Sequence, residues 1–413
     1  AGVGLVSVSH EELGSRAEAQ SDDIACADLS NPVYIAGASA VQALIEQAQR
    51  ALNDVGADIT LVYQKVGSCE GPPALIGGTE ITATPSYYVF EDDSNPTKAT
   101  GRACSLPASG VKPDISVADV TAATCGRNLG GGAEYTLGER HLEIGGAIQA
   151  MTFAVPATSS ETAISAEAAR VVFGFAAEDH TVAPWLVGGN IFHRKPTSGT
   201  QILAAAAIGL NSNLWASEHQ LGGNGDVVAA LKAATDKNSA IGLLASSAAD
   251  KERGEIRILA FQSEGQACGY LPDSSATSFD KVNVREGRYG IFGPMQFLVN
   301  VNEAKLPVKI SANADEHVRT AVDFLTLSDE LDEASQLIML EAAVKASVIP
   351  PCAMKVQRAD EYADPVSYEP EAACHCFFEV NAGVANHGCV ACESDADCGG
   401  DTPSCNFGYC EKR

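Results

Sequence analysis

Between Val33 and Val66 the chain reads as strand, helix, strand. Val33-Tyr34-Ile35-Ala36 is a short buried-type strand that leaves through Gly37-Ala38-Ser39-Ala40. Val41 to Val55 is then an amphipathic helix with Leu44, Ile45, Ala48 and Leu52 on one face. Asp58 to Val66 is a second strand, ending in Gly67-Ser68-Cys69-Glu70-Gly71. Parallel strands need a crossover, and a helix supplies it, so this order commits the chain to an α/β architecture. The same junction returns far downstream. Asn190-Ile191-Phe192 is extended, His193-Arg194-Lys195-Pro196-Thr197-Ser198-Gly199-Thr200 turns, and the apolar run Gln201 to Leu210 reads as a helix.

That second junction carries chemistry. Ser198 and Thr200 fall at a helix N-terminus, where free backbone N–H groups and the helix dipole favour an anion. Arg194, four residues before Ser198, adds a planar, permanently charged fork that matches a tetrahedral oxyanion. Taken alone, the stretch is equally an ordinary helix start beside a surface arginine. A third strand, Asp114 to Val120, carries Asp119 at its carboxyl end. Ser39, Ser68, Asp119 and Ser198-Gly199-Thr200 thus all sit where loops leave the carboxyl ends of strands, the place where open α/β sheets bind ligands.

At this point the chain resembles the phosphate-binding proteins of ABC-type phosphate transporters, which have a two-lobed type II periplasmic-binding-protein fold. The resemblance runs over about residues 33 to 345 and rests on "YIAGASA", "VYQKVGSCEG", "DISVADV", "AMTFAVPATSS", "HRKPTSGT" and "NSAIGLL". It implies a ligand set of Ser39 and Ala40, Ser68, Asp119, and Arg194 with Ser198, Gly199 and Thr200. It implies inorganic phosphate as ligand, captured outside the cytoplasm for an ABC permease. The chemistry agrees. Hydroxyls and N–H groups donate to phosphate oxygens, and Asp119 accepts the one proton that hydrogen phosphate carries. Fully ionised sulfate has no such proton, so phosphate and the isosteric arsenate are expected to bind and sulfate is not. The sequence departs from the family at Pro196, where an aspartate commonly braces the arginine, at Ala40 for a usual aromatic, and at Ala118 for a serine.

At 413 residues the chain can bury two cores plus appendages. The lobes are expected at 31–145 with 270–350 and at 146–269, joined by hinges near 145–150 and 262–270. Ser39, Ser68 and Asp119 would face Arg194, Ser198 and Thr200 across a cleft that closes on the ligand. Residues 1–30 read as an arm anchored by Cys26, and 72–110 as an inserted hairpin with a strand at Ser86 to Phe90 and a turn at Glu91 to Pro96. Further elements are expected as strands at Leu142 to Pro156, Ala240 to Leu244, Glu255 to Phe261 and Gly287 to Val301. Helices are expected at Ser165 to Phe173, Asp226 to Thr235, Glu316 to Leu327 and Asp329 to Val348. Trp185 and Trp215 are candidates for the cleft rim.

Residues 351–413 read as a linker and a small disulfide-rich C-terminal module. Seven of the thirteen cysteines lie between Cys374 and Cys410, a density that places the chain in an oxidising compartment, periplasmic, cell-surface or extracellular. Cys389 and Cys392 have zinc-like spacing with His375 and His387 nearby, but disulfides are the expected use in such a module, so no metal and no cofactor is expected. At least one disulfide is expected among Cys69, Cys104 and Cys125. An odd count leaves one cysteine free or bridged to another chain. The net charge of −26 argues against nucleic acid as a partner. No nucleophile–base spacing or G-x-S-x-G elbow marks a hydrolase, so the chain is read as not an enzyme, with a secreted phosphatase the weakest alternative. A structural or adhesive surface protein that assembles through its tail is the other.

Overall fold

The chain was described from a computed structural model covering residues 24–82, 85–89, 100–175, 182–216, 219–310, 314–385 and 387–412. β1 (Pro32–Gly37), α1 (Gln42–Asp54) and β2 (Thr60–Lys65) form the expected crossover, with Ile35 opposite Tyr63 in parallel register. α2 (Gly71–Ile76) follows. β3 (Ser86–Val89) and β4 (Thr100–Ala103) pair antiparallel and extend the sheet beyond β2. The expected turn Glu91 to Pro96 and the arm before residue 24 lie outside the described residues. β5 (Ile115–Ala118), buried at every position, lies parallel to β1 on its other side, and α3 (Ala122–Leu129) leaves it. A strand buried on both faces favours apolar residues throughout, which is why Val33 to Ala36 is continuous rather than alternating; β5 departs from this at Ser116, which is buried.

β6 (His141–Pro156) belongs to both halves of the molecule. Its residues from His141 to Ala150 pair antiparallel with the later segment Phe292 to Asn300, and Met151 to Ala154 pair with Gly242 to Ala245. Between them come β7 (Ala163–Ser165), α4 (Ala166–Phe175), β8 (Ile191–Arg194), α5 (Gly199–Ile208), β9 (His219–Leu221), α6 (Asn224–Ala233), β10 (Ile241–Ala245), α7 (Ser246–Asp250), β11 (Ile256–Ile258), β12 (Ala260–Gln262) and α8 (Val282–Arg285). β13 (Phe292–Asn300), α9 (Asp315–Thr326) and α10 (Glu333–Lys345) return to the first lobe. The sheet order is β4-β3-β2-β1-β5-β13-β6-β10-β8-β9, with β11 also on β6. Two α/β lobes thus share a strand, with β13 running antiparallel inside the first sheet. A core under α1, α9 and α10 fills the first lobe, and a second, centred on Phe153, Phe173, Trp215 and Phe261, fills the other.

Several expectations need correction. The second crossing is at Ile291 and Phe292, not at 262–270, since Met151 N–H donates to Ile291 O and Phe292 sits opposite Ala150. The intervening residues stay with the second lobe through a buried ion network: Lys281 Nζ lies 2.9 Å from Asp273 and 2.7 Å from Asp250, and Arg253 lies 2.6 Å from each acid. The strand expected from Gly287 to Val301 begins at Phe292. Helix α10 starts at Glu333, where the Asp332 carboxylate accepts from Ser335 N–H and caps it, rather than at Asp329. Trp185 and Trp215 are buried in the second lobe instead of lining a rim; Trp215 packs against Phe173 with ring centres 4.9 Å apart.

The C-terminal region is also more integrated than a linker and tail. Ile349 pairs with Ile148 at the crossing, and α11 (His375–Asn381) packs beside α10 and buries Phe377 and Phe378 in the core that also holds Phe153 and Phe261. Its disulfides are Cys352–Cys374, Cys376–Cys389, Cys392–Cys405 and Cys398–Cys410. The zinc-like pair Cys389 and Cys392 is thereby split between two bridges. The odd cysteine is Cys268, exposed on the second lobe, so an unpaired thiol is not a feature of the tail. Among the described residues no helix is long and apolar enough to cross a membrane.

Candidate functional site

The site forms because four strand-end loops are held at fixed places. After β1 the backbone passes so close to β5 that a Cβ on Gly37 would stand 1.8 Å from Val117 O, and φ there is +149°. Only glycine fits. The chain then delivers Ser39 and Ala40 into a short turn ahead of α1. After β2 comes Ser68, whose Oγ–H donates to Asp119 Oδ2 at 3.1 Å and whose Oγ accepts from Asp119 N–H at 3.4 Å. The next residue is fixed twice, by the Cys69–Cys125 disulfide to α3 and by Tyr135 Oη–H donating to Cys69 O. Of the three cysteines expected to cluster there, Cys69 and Cys125 pair with each other, whereas Cys104 pairs with Cys26.

From the second lobe, Arg194 ends β8 and Ser198, Gly199 and Thr200 open α5. Ser198 is the N-cap residue by position, yet its side chain makes no capping bond, so the first N–H groups of α5 are left without side-chain acceptors from it. The lobes meet here. Arg194 Nη2–H donates to Ser39 Oγ at 3.1 Å, Cys69 N–H donates to Thr197 O at 3.0 Å, and Thr197 Oγ1–H donates to Glu70 Oε1 at 3.0 Å. A Cβ on Gly199 would lie 2.5 Å from Ser68 Oγ and 2.7 Å from Asp119 Cβ. All eight residues expected at the site are therefore gathered at one interlobe junction. Ala40 offers only its backbone there.

Burial sets the electrostatics. Asp119 is 2% exposed, and loss of water pushes its carboxyl up to about 6, against the hydrogen bond from Ser68, the charge of Arg194 and the nearby Thr200. Its Oδ1 and the Thr200 hydroxyl, both buried, make no hydrogen bond within normal geometry. Burial also lowers the pKa of Arg194, opposed by Asp119, Asp226 and Tyr63. His193 is inside β8: its Nδ1 lies 2.6 Å from Arg194 O and 2.9 Å from Gln201 Oε1, and its ring packs on Trp215. Its Nε2 is buried without a hydrogen-bond partner among the described residues.

Sequence reasoning missed how Arg194 is held. With Pro196 in place of a bracing acid, its Nη1–H donates to Asn224 Oδ1 at 2.9 Å, Nη2–H to Gly222 O at 2.7 Å and Nε–H to Leu221 O at 3.3 Å. The only signal was a glycine-rich turn, Gly222-Gly223-Asn224-Gly225, before a helix. Glu361 was missed too. It reaches from the C-terminal region to the start of α3, accepting from Thr121 N–H at 2.6 Å and from Thr124 Oγ1–H.

No protein-family model matches the chain, and no curated protein matches it by sequence. Among solved structures it is similar to a candidate phosphate ABC transporter substrate-binding protein from Clostridium perfringens with phosphate bound (14% identity, 78% of this chain and 99% of that one, TM-score 0.48). It is similar to a DING protein (12%, 77% and 90%, 0.47) and to an ABC-type phosphate transport receptor from Vibrio cholerae (14%, 77% and 100%, 0.43). At such identities, what this chain binds rests on its own residues.

Proposed function

We propose that the chain is an extracytoplasmic receptor for inorganic phosphate, held between the two lobes and handed to an ABC-type transporter. The observation that carries this reading is Asp119: a buried carboxyl set among donors. Ser39, Ser68, Ser198 and Thr200 supply hydroxyls, the start of α5 supplies N–H groups, and Arg194 supplies charge. A site of donors alone would take any tetrahedral oxyanion. One acceptor among them suits an anion that keeps a proton, which hydrogen phosphate and arsenate do and sulfate does not. Location outside the cytoplasm is supported by six disulfides, which persist in oxidising compartments.

The test is calorimetric titration of protein unfolded, freed of phosphate and refolded, with phosphate and then sulfate. Phosphate is expected to bind at micromolar Kd or tighter, with sulfate far weaker. Arg194→Ala should lose binding by at least about 100-fold, since it removes charge-assisted hydrogen bonds worth about 1.5–3 kcal/mol each. Folded wild-type protein that takes up neither anion would end the proposal.

A further inference from the structure

Among the described residues, every hydrogen bond that Arg194 donates goes to a neutral atom. Of the acceptors that hold its guanidinium, two are main-chain carbonyls, Gly222 O and Leu221 O, one is the Ser39 hydroxyl, and one is a side-chain amide, Asn224 Oδ1. Asn224 is 6% exposed and is the first residue of α6, where a side chain ordinarily faces water or caps the helix. Here it turns inward instead, and the same Oδ1 also accepts from Ala245 N–H at 3.2 Å, at the end of β10. That second bond fixes the oxygen, so the grip on Nη1 is set by the sheet rather than by a mobile loop. The helix start is served separately, by Asp226 Oδ2 accepting from Gly223 N–H at 2.8 Å.

A carboxylate in this position would hold the guanidinium as firmly but would cancel much of its field. A neutral amide orients the fork and leaves the positive charge to the ligand. The difference matters most for a ligand of charge two, because each ligand charge feels the added carboxylate separately. Resting on the phosphate reading above, we propose that Asn224 is the positioning residue of Arg194 and that its neutrality tunes the site toward the doubly charged form of the oxyanion.

Asn224→Asp and Asn224→Ala would be titrated with inorganic phosphate beside the wild type, at several pH values from about 5.5 to about 8.5, across the second ionisation of phosphate. The other groups facing the guanidinium and its loop (Asp119 after β5, Asp226 on α6, Tyr63 on β2, His193 on β8 and Glu70 against Thr197) are common to all three proteins. Differences between the curves therefore report on position 224. Asn224→Ala should raise Kd about tenfold, equally at every pH, by freeing the fork. Asn224→Asp, of nearly the same shape, should weaken binding about threefold at the acid end and progressively more, by about tenfold, at the alkaline end.

If Asn224 only ties α6 to β10, both variants will lower the melting temperature and leave Kd and its pH slope at wild-type values, which overturns the proposal. Should Asn224→Ala fail to fold, the isosteric aspartate carries the decision alone. Wild-type protein that does not bind phosphate would end the phosphate reading, and this inference with it. Wild-type binding with an unchanged slope in Asn224→Asp would end only this inference.

Discussion

Gly199→Ala is the sharpest test of whether the two lobes close on the ligand. Gly199 has no side chain and does not adopt a left-handed φ, so alanine keeps the backbone unstrained and even favours the helix slightly. Its Cβ, however, would lie 2.5 Å from Ser68 Oγ, 2.9 Å from Ser68 Cβ and 2.7 Å from Asp119 Cβ. Relieving those contacts takes a displacement of about 1 Å, since carbon atoms rest about 3.5–4.0 Å apart. Neither side yields easily. Ser68 is bonded to Asp119 and precedes a disulfide-bonded cysteine, while α5 is anchored by the buried Ile202 and Leu203. Overpacking of this kind costs about 1–3 kcal/mol.

Where that cost falls depends on mobility. If the lobes hinge at the two crossings, the free protein opens and is not strained, and only the closed, liganded state carries the penalty. Kd for phosphate then rises about 5–150-fold while the ligand-free melting temperature is unchanged. If the lobes are fixed, the penalty appears in the free protein as a loss of about 1–3 °C, with Kd little changed. Titration calorimetry and differential scanning calorimetry on the same samples separate the cases. Kd within twofold of wild type together with an unchanged melting temperature would refute the packing described here.

Asp119→Asn should change stability and selectivity in opposite directions. An acid raised to about 6 in the folded chain is bound more tightly to its proton there than in the unfolded chain, so it costs stability as pH rises from about 4 through about 6 and the cost is complete above that. Scanning calorimetry should therefore find ligand-free Asp119→Asn more stable than wild type near pH 8, by about 1–3 kcal/mol, and no more stable near pH 4. Its phosphate-to-sulfate preference should collapse, and a preference retained would remove Asp119 from the discriminating role. Glu361→Gln tests the C-terminal bridge to α3. Burial and the Glu361 charge push Glu143 up to about 7, so wild type should lose stability between about pH 4.5 and 7 and the variant should lose less over that window. Parallel melting curves of the two proteins across it would contradict the arrangement.

The parts of the site legible in the sequence are those whose geometry is local. A strand that ends in Gly or Ser and runs into a helix must present its loop at the carboxyl edge of the sheet, so Ser39, Ser68, Asp119 and Ser198 could be placed from neighbours a few residues away. The parts that were not legible depend on distant partners. Asn224 meets Arg194 across 30 residues of chain and Glu361 meets Thr121 across 240, and neither spacing has a period to detect. The second crossing was misplaced for a related reason. Residues 263–290 have the composition of a loop, and what binds them to the second lobe is the Lys281, Asp273, Asp250 and Arg253 network, whose members look like ordinary surface charges until they are buried together. Phe377 and Phe378 likewise read as part of a cysteine-rich appendage, although their burial joins that appendage to a lobe. The departure at Pro196 shows how these two kinds of information combine. Pro196 offers Arg194 no local acceptor, and a remote amide and two carbonyls, none of them charged, hold the guanidinium instead.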